Sequence, residues 1–184
     1  GTAETLPNYT LEKLMHSCFE EVGVPQHTED ELAFAAALKK TYAPETSAPG
    51  TGARFDSSIA KTVKALTENM TKPMNDFLMP QYSGEGFTPG STDVGDVSWQ
   101  TPTAQIIVAA WPAGVPGHSW QIVSCGKTEL AHKALSCAGK VIASAAIELI
   151  NDPELLKKAK DEHAERSADG YVCPIEPDAV PIAI

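Results

Sequence analysis

The sequence predicts an α/β fold, a partial central sheet flanked by helices. Three features carry that expectation. The run Ala104-Gln105-Ile106-Ile107-Val108-Ala109-Ala110 is short and almost continuously apolar, the pattern of a strand covered on both faces. Residues 128–150 follow a helical pattern that is apolar nearly all round, as in an element deep inside a domain. Residues 11–23 and 28–42 are amphipathic helix patterns suited to covering a sheet.

Taken in order, the first helix places Leu11, Leu14, Met15, Cys18, Phe19 and Val22 at i, i+3, i+4, i+7, i+8 and i+11, and Gly23 closes it. The second opens with a capping box, Thr28 with Glu31 three residues on, in which each side chain satisfies the other's backbone N–H. Its face of Leu32, Ala35, Ala36 and Leu38 is small enough for close packing. Residues 43–54, rich in Pro, Gly, Ser and Thr, read as an exposed loop. Asp56 is placed to cap a third helix carrying Ile59, Val63, Leu66 and Met70. From Lys72 to Gly90, Pro73, Pro80 and Pro89 break regular structure, and such irregular segments often line sites.

After the expected strand at 104–110, residues 121–125 suit a second, weaker one. The long helix then carries Leu130, Ala134, Leu135, Ala138, Val141, Ile142, Ala145 and Leu149. Asp152-Pro153-Glu154 starts a final helix with a cap, a proline at the first position and an acid in the first turn. Its many charges place it on the surface, Gly170 ends it, and the tail from Tyr171 runs extended over the body. One strong and one weak strand fall short of the roughly five or six of a usual sheet. The remaining strands are therefore expected from polypeptide outside this sequence.

A formal net charge of −10 repels phosphate backbones, so no nucleic-acid partner is expected. No apolar run approaches the roughly 18 residues of a membrane span, and no membrane partner is expected. The opening residues lack the basic-then-apolar order of a signal peptide. Cys18, Cys125, Cys137 and Cys173 form no Cys-x-x-Cys pair and point to a reducing compartment, which makes the expected location cytoplasmic.

Among the histidines, His16 and Cys18 point about 200° apart on a helix and cannot share an ion. His16 with Glu20 makes a weak i, i+4 surface pair. His27 and His163 sit in polar surroundings and read as solvated, while His132 reads as a hydrogen-bonded core residue. Glu20 and Glu21 form a solvated helix face.

His118 differs. It follows Pro116-Gly117, rigid then permissive, directly after the expected strand and before Trp120. Loops at strand ends are where scaffolds place metal-binding imidazoles, so a ligand or catalytic role stands beside a structural one. In Gly90-Ser91-Thr92-Asp93-Val94-Gly95-Asp96, Ser91, Thr92 or Asp93 can cap a short helix, or form a polar rim against a substrate. One histidine is not a metal centre, which needs several donors.

Gly90-Ser91-Thr92-Asp93-Val94-Gly95-Asp96-Val97-Ser98-Trp99, Pro102-Thr103, Gly117-His118-Ser119-Trp120-Gln121, Ala131-His132-Lys133-Ala134 and Tyr171-Val172-Cys173-Pro174-Ile175 together resemble one family. It is the di-metal amidohydrolase and peptidase family of aminoacylases and glutamate carboxypeptidases, in its aminobenzoyl-glutamate branch. The resemblance covers essentially the whole chain. It implies that residues 1–184 are the C-terminal portion of a zinc-exopeptidase-like catalytic domain, without the family's lid or dimerisation domain.

It further implies that His118 matches the family's last metal ligand and that Ser91, Thr92, Asp93 and Trp120 border the substrate. The cofactor would be a divalent metal pair, zinc or manganese, fully bound only with the N-terminal half of the same enzyme. No segment here matches the family's other ligand motifs or its general-base glutamate, so no catalytic residue is assigned.

The implied activity is metal-dependent cleavage of the amide bond of N-acyl or aminobenzoyl amino acids such as aminobenzoyl-glutamate, in a homodimer or hetero-oligomer. This chain alone would be inactive. The alternative is a non-catalytic interaction or regulatory module derived from such an enzyme. A third reading, a complete small α-rich binding domain, requires His118 to be structural.

Overall fold

Helix α1 (Tyr9–Val22) begins where Asn8 folds its side chain back to accept the Leu11 N–H at 3.0 Å. It ends at Gly23, whose φ of 75° lets its N–H close onto the Phe19 carbonyl. The computed structural model describes residues 2–43, 57–68, 72–82, 92–173 and 175–180. Helix α2 (Glu29–Lys39) opens with the expected capping box: the Thr28 N–H donates to Glu31 at 2.9 Å and the Glu31 N–H to the Thr28 hydroxyl at 3.3 Å. Helix α3 (Ser57–Glu68) buries Val63, while its expected cap Asp56 and Met70 lie outside the described residues.

Two short helices follow, α4 (Val94–Ser98) and α5 (Trp120–Cys125), then the 23-residue α6 (Glu129–Asn151) and α7 (Pro153–Arg166). The core forms where α6 lies on α1. Cys18 and Phe19 meet Cys137, Val141 and Ala145, with Leu14, Met15 and Val22 around them. A smaller cluster of Ala35, Met74 and Leu130 ties α2 to the start of α6.

Asp152 turns the chain sharply, accepting the Leu155 N–H at 3.0 Å ahead of Pro153, and α7 returns to the start of α1. There the Asn8 amide donates to the Ala159 carbonyl at 2.8 Å. The Glu162 carboxylate accepts the Tyr9 and Thr10 N–H groups at 2.7 and 2.9 Å and the Thr10 hydroxyl at 2.6 Å. An anion over unsatisfied N–H groups is favourable at any helix start. Arg166 donates to Glu162 at 3.1 Å and places its guanidinium 4.1 Å from the Tyr9 ring centre.

The predicted α/β fold is not what forms. Among the described residues every element is a helix, and there is no strand and no partial central sheet. Residues 104–110 do alternate as an extended segment would: Ile106 and Val108 pack against the α1–α6 core while Ile107 is 86% exposed. A strand, however, exists only through a neighbour's N–H and C=O groups. No described backbone forms a ladder with this segment. Its apolar character reports partial burial, not pairing.

The second expected strand is helix α5. The Ser119 side chain caps it, and Gln121 and Cys125, four apart, turn inward together. The preference of Ile122 and Val123 for extended backbone is too weak to outweigh that inward spacing.

Helix α6 also departs from expectation. One stripe is buried, yet Leu135, Ile142 and Ile150 are 75%, 54% and 78% exposed. By length and composition alone, with a mean hydropathy of 1.3, α6 is apolar enough to cross a bilayer. Its contacts are those of a helix in a folded body: it packs on α1, and Lys133 donates to Glu31 and to the Gln26 carbonyl.

Candidate functional site

His118 sits at the exposed tip of the segment joining Trp111 to α5, with φ of 53°. The left-handed conformation falls on the histidine itself and not on the permissive Gly117, which is not among the positive-φ residues. A non-glycine residue there stores about 1–3 kcal/mol of strain and persists only when its flanks are held.

Both flanks are. On one side Pro112 and Val115 are buried, the Ala113 N–H donates to the Pro73 carbonyl at 2.9 Å, and the Ala113 carbonyl accepts the Tyr42 hydroxyl at 3.3 Å. On the other side the buried Gln121 donates to the Thr41 hydroxyl at 3.3 Å. Trp120, two residues after His118, is 61% exposed. The structure thus presents His118 and Trp120 on one exposed turn.

The second predicted group divides differently. Gly90 and Ser91 lie outside the described residues, so Ser91 is not placed. Thr92 acts as the local cap, its hydroxyl accepting the Val94 N–H at 3.3 Å. Asp93 occupies the N-cap position of α4 but makes no side-chain cap bond. Both residues are exposed, and no hydrogen bond or ion pair joins α4 to α5 among the described residues.

The rest of this motif is structural in a way its sequence does not announce. Asp96 accepts the Tyr171 hydroxyl at 2.7 Å and the Ala3 N–H at 3.3 Å. The hydrogen bond to Asp96, then burial, holds the Tyr171 hydroxyl well above its ordinary pKa. Ser98, fully buried, accepts the Leu6 N–H at 2.8 Å and donates to the Gly95 carbonyl. Trp99 donates to the Glu4 carbonyl at 2.9 Å. A Cβ on Gly95 would lie 2.1 Å from the Ala3 carbonyl oxygen, so only glycine admits residues 3–6 across this helix. Gly95 inside a helix is the one signal in the sequence that could have revealed this crossing.

Three histidines are placed otherwise than predicted. His163 is not solvated; its Nε2 pairs with the Ser98 carbonyl at 3.0 Å. His132 is not a core residue, being exposed beside Glu129 at 3.1 Å. His27 has only 4% of its side chain exposed, with Nδ1 3.4 Å from Glu31 and no hydrogen bond at either ring nitrogen. His16 binds the Met79 carbonyl at 2.9 Å and lies 3.7 Å from Glu20, the weak pair expected.

The chemistry available is limited. Among the described residues no group of three or more His, Cys, Asp or Glu side chains could hold a metal ion, so these residues by themselves do not make the expected metal pair's site. Burial pushes the Cys125 and Cys137 thiols up, which keeps them protonated and unreactive. An apolar groove of about 480 Å³ runs between α1 and α6, lined by Leu11, Met15, Ile106, Ile142 and Leu149 among others, with no titratable group.

One relative carries the remaining information. The chain is similar to a subunit of the p-aminobenzoyl-glutamate hydrolase of Escherichia coli (strain K12). The two are 35% identical over 185 residues, which is 96% of this chain and 37% of that relative's length. This chain therefore spans little more than a third of the relative it matches. No family model matches the sequence, and no solved structure matches it.

Proposed function

We propose that this chain is part of an amidohydrolase that cleaves aminobenzoyl-glutamate or related N-acyl amino acids. The observation that carries the reading is the 35% identity to a hydrolase subunit across 96% of the chain. Residues 1–184 are the C-terminal portion of its catalytic domain, and the portion works only when joined to further polypeptide of the same enzyme.

In this reading His118 supplies one imidazole to a divalent pair, zinc or manganese, whose other donors lie on that polypeptide. The exposed ring and its strained, well-held backbone support the role. Such a pair, when bound, polarises an amide carbonyl and activates water. Trp120 offers an apolar wall to the aryl group, and Ser91, Thr92 and Asp93 form a polar rim bordering the substrate. The exposed stripe of Leu135, Ile142 and Ile150 on α6 is the surface the further polypeptide covers.

The rival reading is a non-catalytic interaction module derived from such an enzyme, in which His118 binds no metal. A single experiment separates them. The complete enzyme is assembled with His118→Ala, and separately with Leu135→Asp plus Ile142→Asp, and release of aminobenzoate is followed alongside metal content. The proposal expects the first variant to assemble but lose metal and turnover, and the second to fail to assemble. A complete enzyme indifferent to His118→Ala refutes the donor role.

A further inference from the structure

We propose that Thr41 and Tyr42, in the turn just past α2, are positioning residues for His118, acting through Gln121 and Ala113. The inference rests on the reading of His118 as a metal donor. Two adjacent residues of the turn after α2 hold both flanks of the turn that carries the imidazole. Tyr42 donates to the Ala113 carbonyl at 3.3 Å, five residues before His118, and Thr41 receives the Gln121 amide at 3.3 Å, three residues after it.

The hydrogen-bond directions are fixed by chemistry. The Thr41 hydroxyl spends its proton on the Leu38 carbonyl at 2.7 Å, leaving its oxygen free only to accept. Gln121 must therefore present its NH₂ group, which settles the orientation of a side chain in a residue only 7% exposed. Tyr42 is the donor to a carbonyl that has no proton to give, and burial, then the nearby Cys125, raise its hydroxyl so that it keeps the proton. The Ala113 N–H is meanwhile taken by the Pro73 carbonyl at 2.9 Å.

Residues 116–118 are left projecting between two anchors on adjacent residues of the turn that follows α2, so a left-handed His118 can be held with its ring in the open. The ring itself makes no hydrogen bond to these groups; they set the backbone it hangs from.

The test compares Tyr42→Phe and Thr41→Val, both nearly isosteric, with the conservative Thr41→Ser in the complete enzyme. Metal-stripped protein is titrated with zinc or manganese, and hydrogen exchange is followed at the amides of residues 113–122. The first two variants are expected to raise the half-saturating metal concentration about 2–10-fold, the effect of losing one ordinary hydrogen bond from the backbone that carries the imidazole. Exchange at Ala113 should quicken, and Thr41→Ser should restore wild-type values. Unchanged metal affinity in Tyr42→Phe and Thr41→Val, with His118→Ala abolishing binding, overturns the clamp. A lower melting temperature without faster exchange in 113–122 overturns it equally. If His118→Ala leaves metal binding intact, the underlying donor reading has failed instead.

Discussion

Glu162→Gln tests the joint between α1 and α7. The carboxylate takes three bonds from the start of α1 and one from Arg166, and a carboxamide can accept at only one of its two ends. Bonds to a charged group contribute about 1.5–3 kcal/mol, and a carboxylate 18% exposed is partly screened, so a net loss of about 2 kcal/mol is expected. At 2–4 °C per kcal/mol for a chain of this size, the melting temperature should fall by about 4–8 °C at neutral pH.

Burial raises the Glu162 carboxyl, but bonds from Thr10, Tyr9 and Arg166 outweigh it and hold it below its ordinary 4.5. A depressed folded pKa contributes stability that is present above the unfolded value and lost as pH falls through the folded one. The difference between wild type and variant should therefore be full at pH 7 and shrink below pH 4.5. Glu12 works the opposite way: burial, then Glu162, raises its carboxyl despite Arg166, so its neutralisation in acid relieves repulsion. Thermal melts at a series of pH values decide the matter. An equal gap between the two proteins at pH 7 and at pH 3.5 would refute the assignment of Glu162 as a charged cap.

Two further substitutions probe the crossing at α4. Gly95→Ala would ordinarily stabilise a helix by up to about 1 kcal/mol, but its methyl meets the Ala3 carbonyl at 2.1 Å, so a loss of about 1–3 kcal/mol is expected, with faster amide exchange at Leu6. A higher melting temperature would show that residues 3–6 do not cross there. Tyr171→Phe removes the bond to Asp96, at a cost of about 1 kcal/mol, and should speed proteolysis after residue 171. In the unsubstituted chain, ultraviolet titration should find Tyr171 and Tyr42 ionising above the ordinary tyrosine range, and the Tyr171 contribution should be lost in this variant.

What the sequence made legible was whatever has its partner within about four residues. The α1 stripe, the Thr28–Glu31 box and the Asp152-Pro153 restart all appear in place, because period and capping are local. The sheet was misread because apolarity in residues 104–110 is local, whereas pairing depends on distant backbone. The short helix α4 and its Thr92 cap were legible, but its distant partners were not, for the same reason: Asp96 meets Ala3 and Tyr171, 93 and 75 positions away, and His163 meets Ser98 across 65. At the candidate site the sequence singled out His118 through Pro116-Gly117, yet nothing local revealed that Thr41 and Tyr42 hold it.

The two apolar stripes of α6 make a physical argument about what the helix is for. Leu130, Ala134, Cys137, Val141 and Ala145 recur at steps of three and four and are buried against α1 and its neighbours. Leu135, Gly139, Ile142, Ala146 and Ile150 recur at the same steps on another face and are exposed. Lys133, Ser136, Lys140 and Ser144 separate them on one side. Folding this chain rewards only the first stripe, because a side chain that stays in water gains nothing from the hydrophobic effect. Alanine or a charge at Leu135 would leave such a chain as stable, so its own folding does not require leucine there. On the proposed reading the further polypeptide that covers this face does, and it gives the outward stripe a role equal to the inward one.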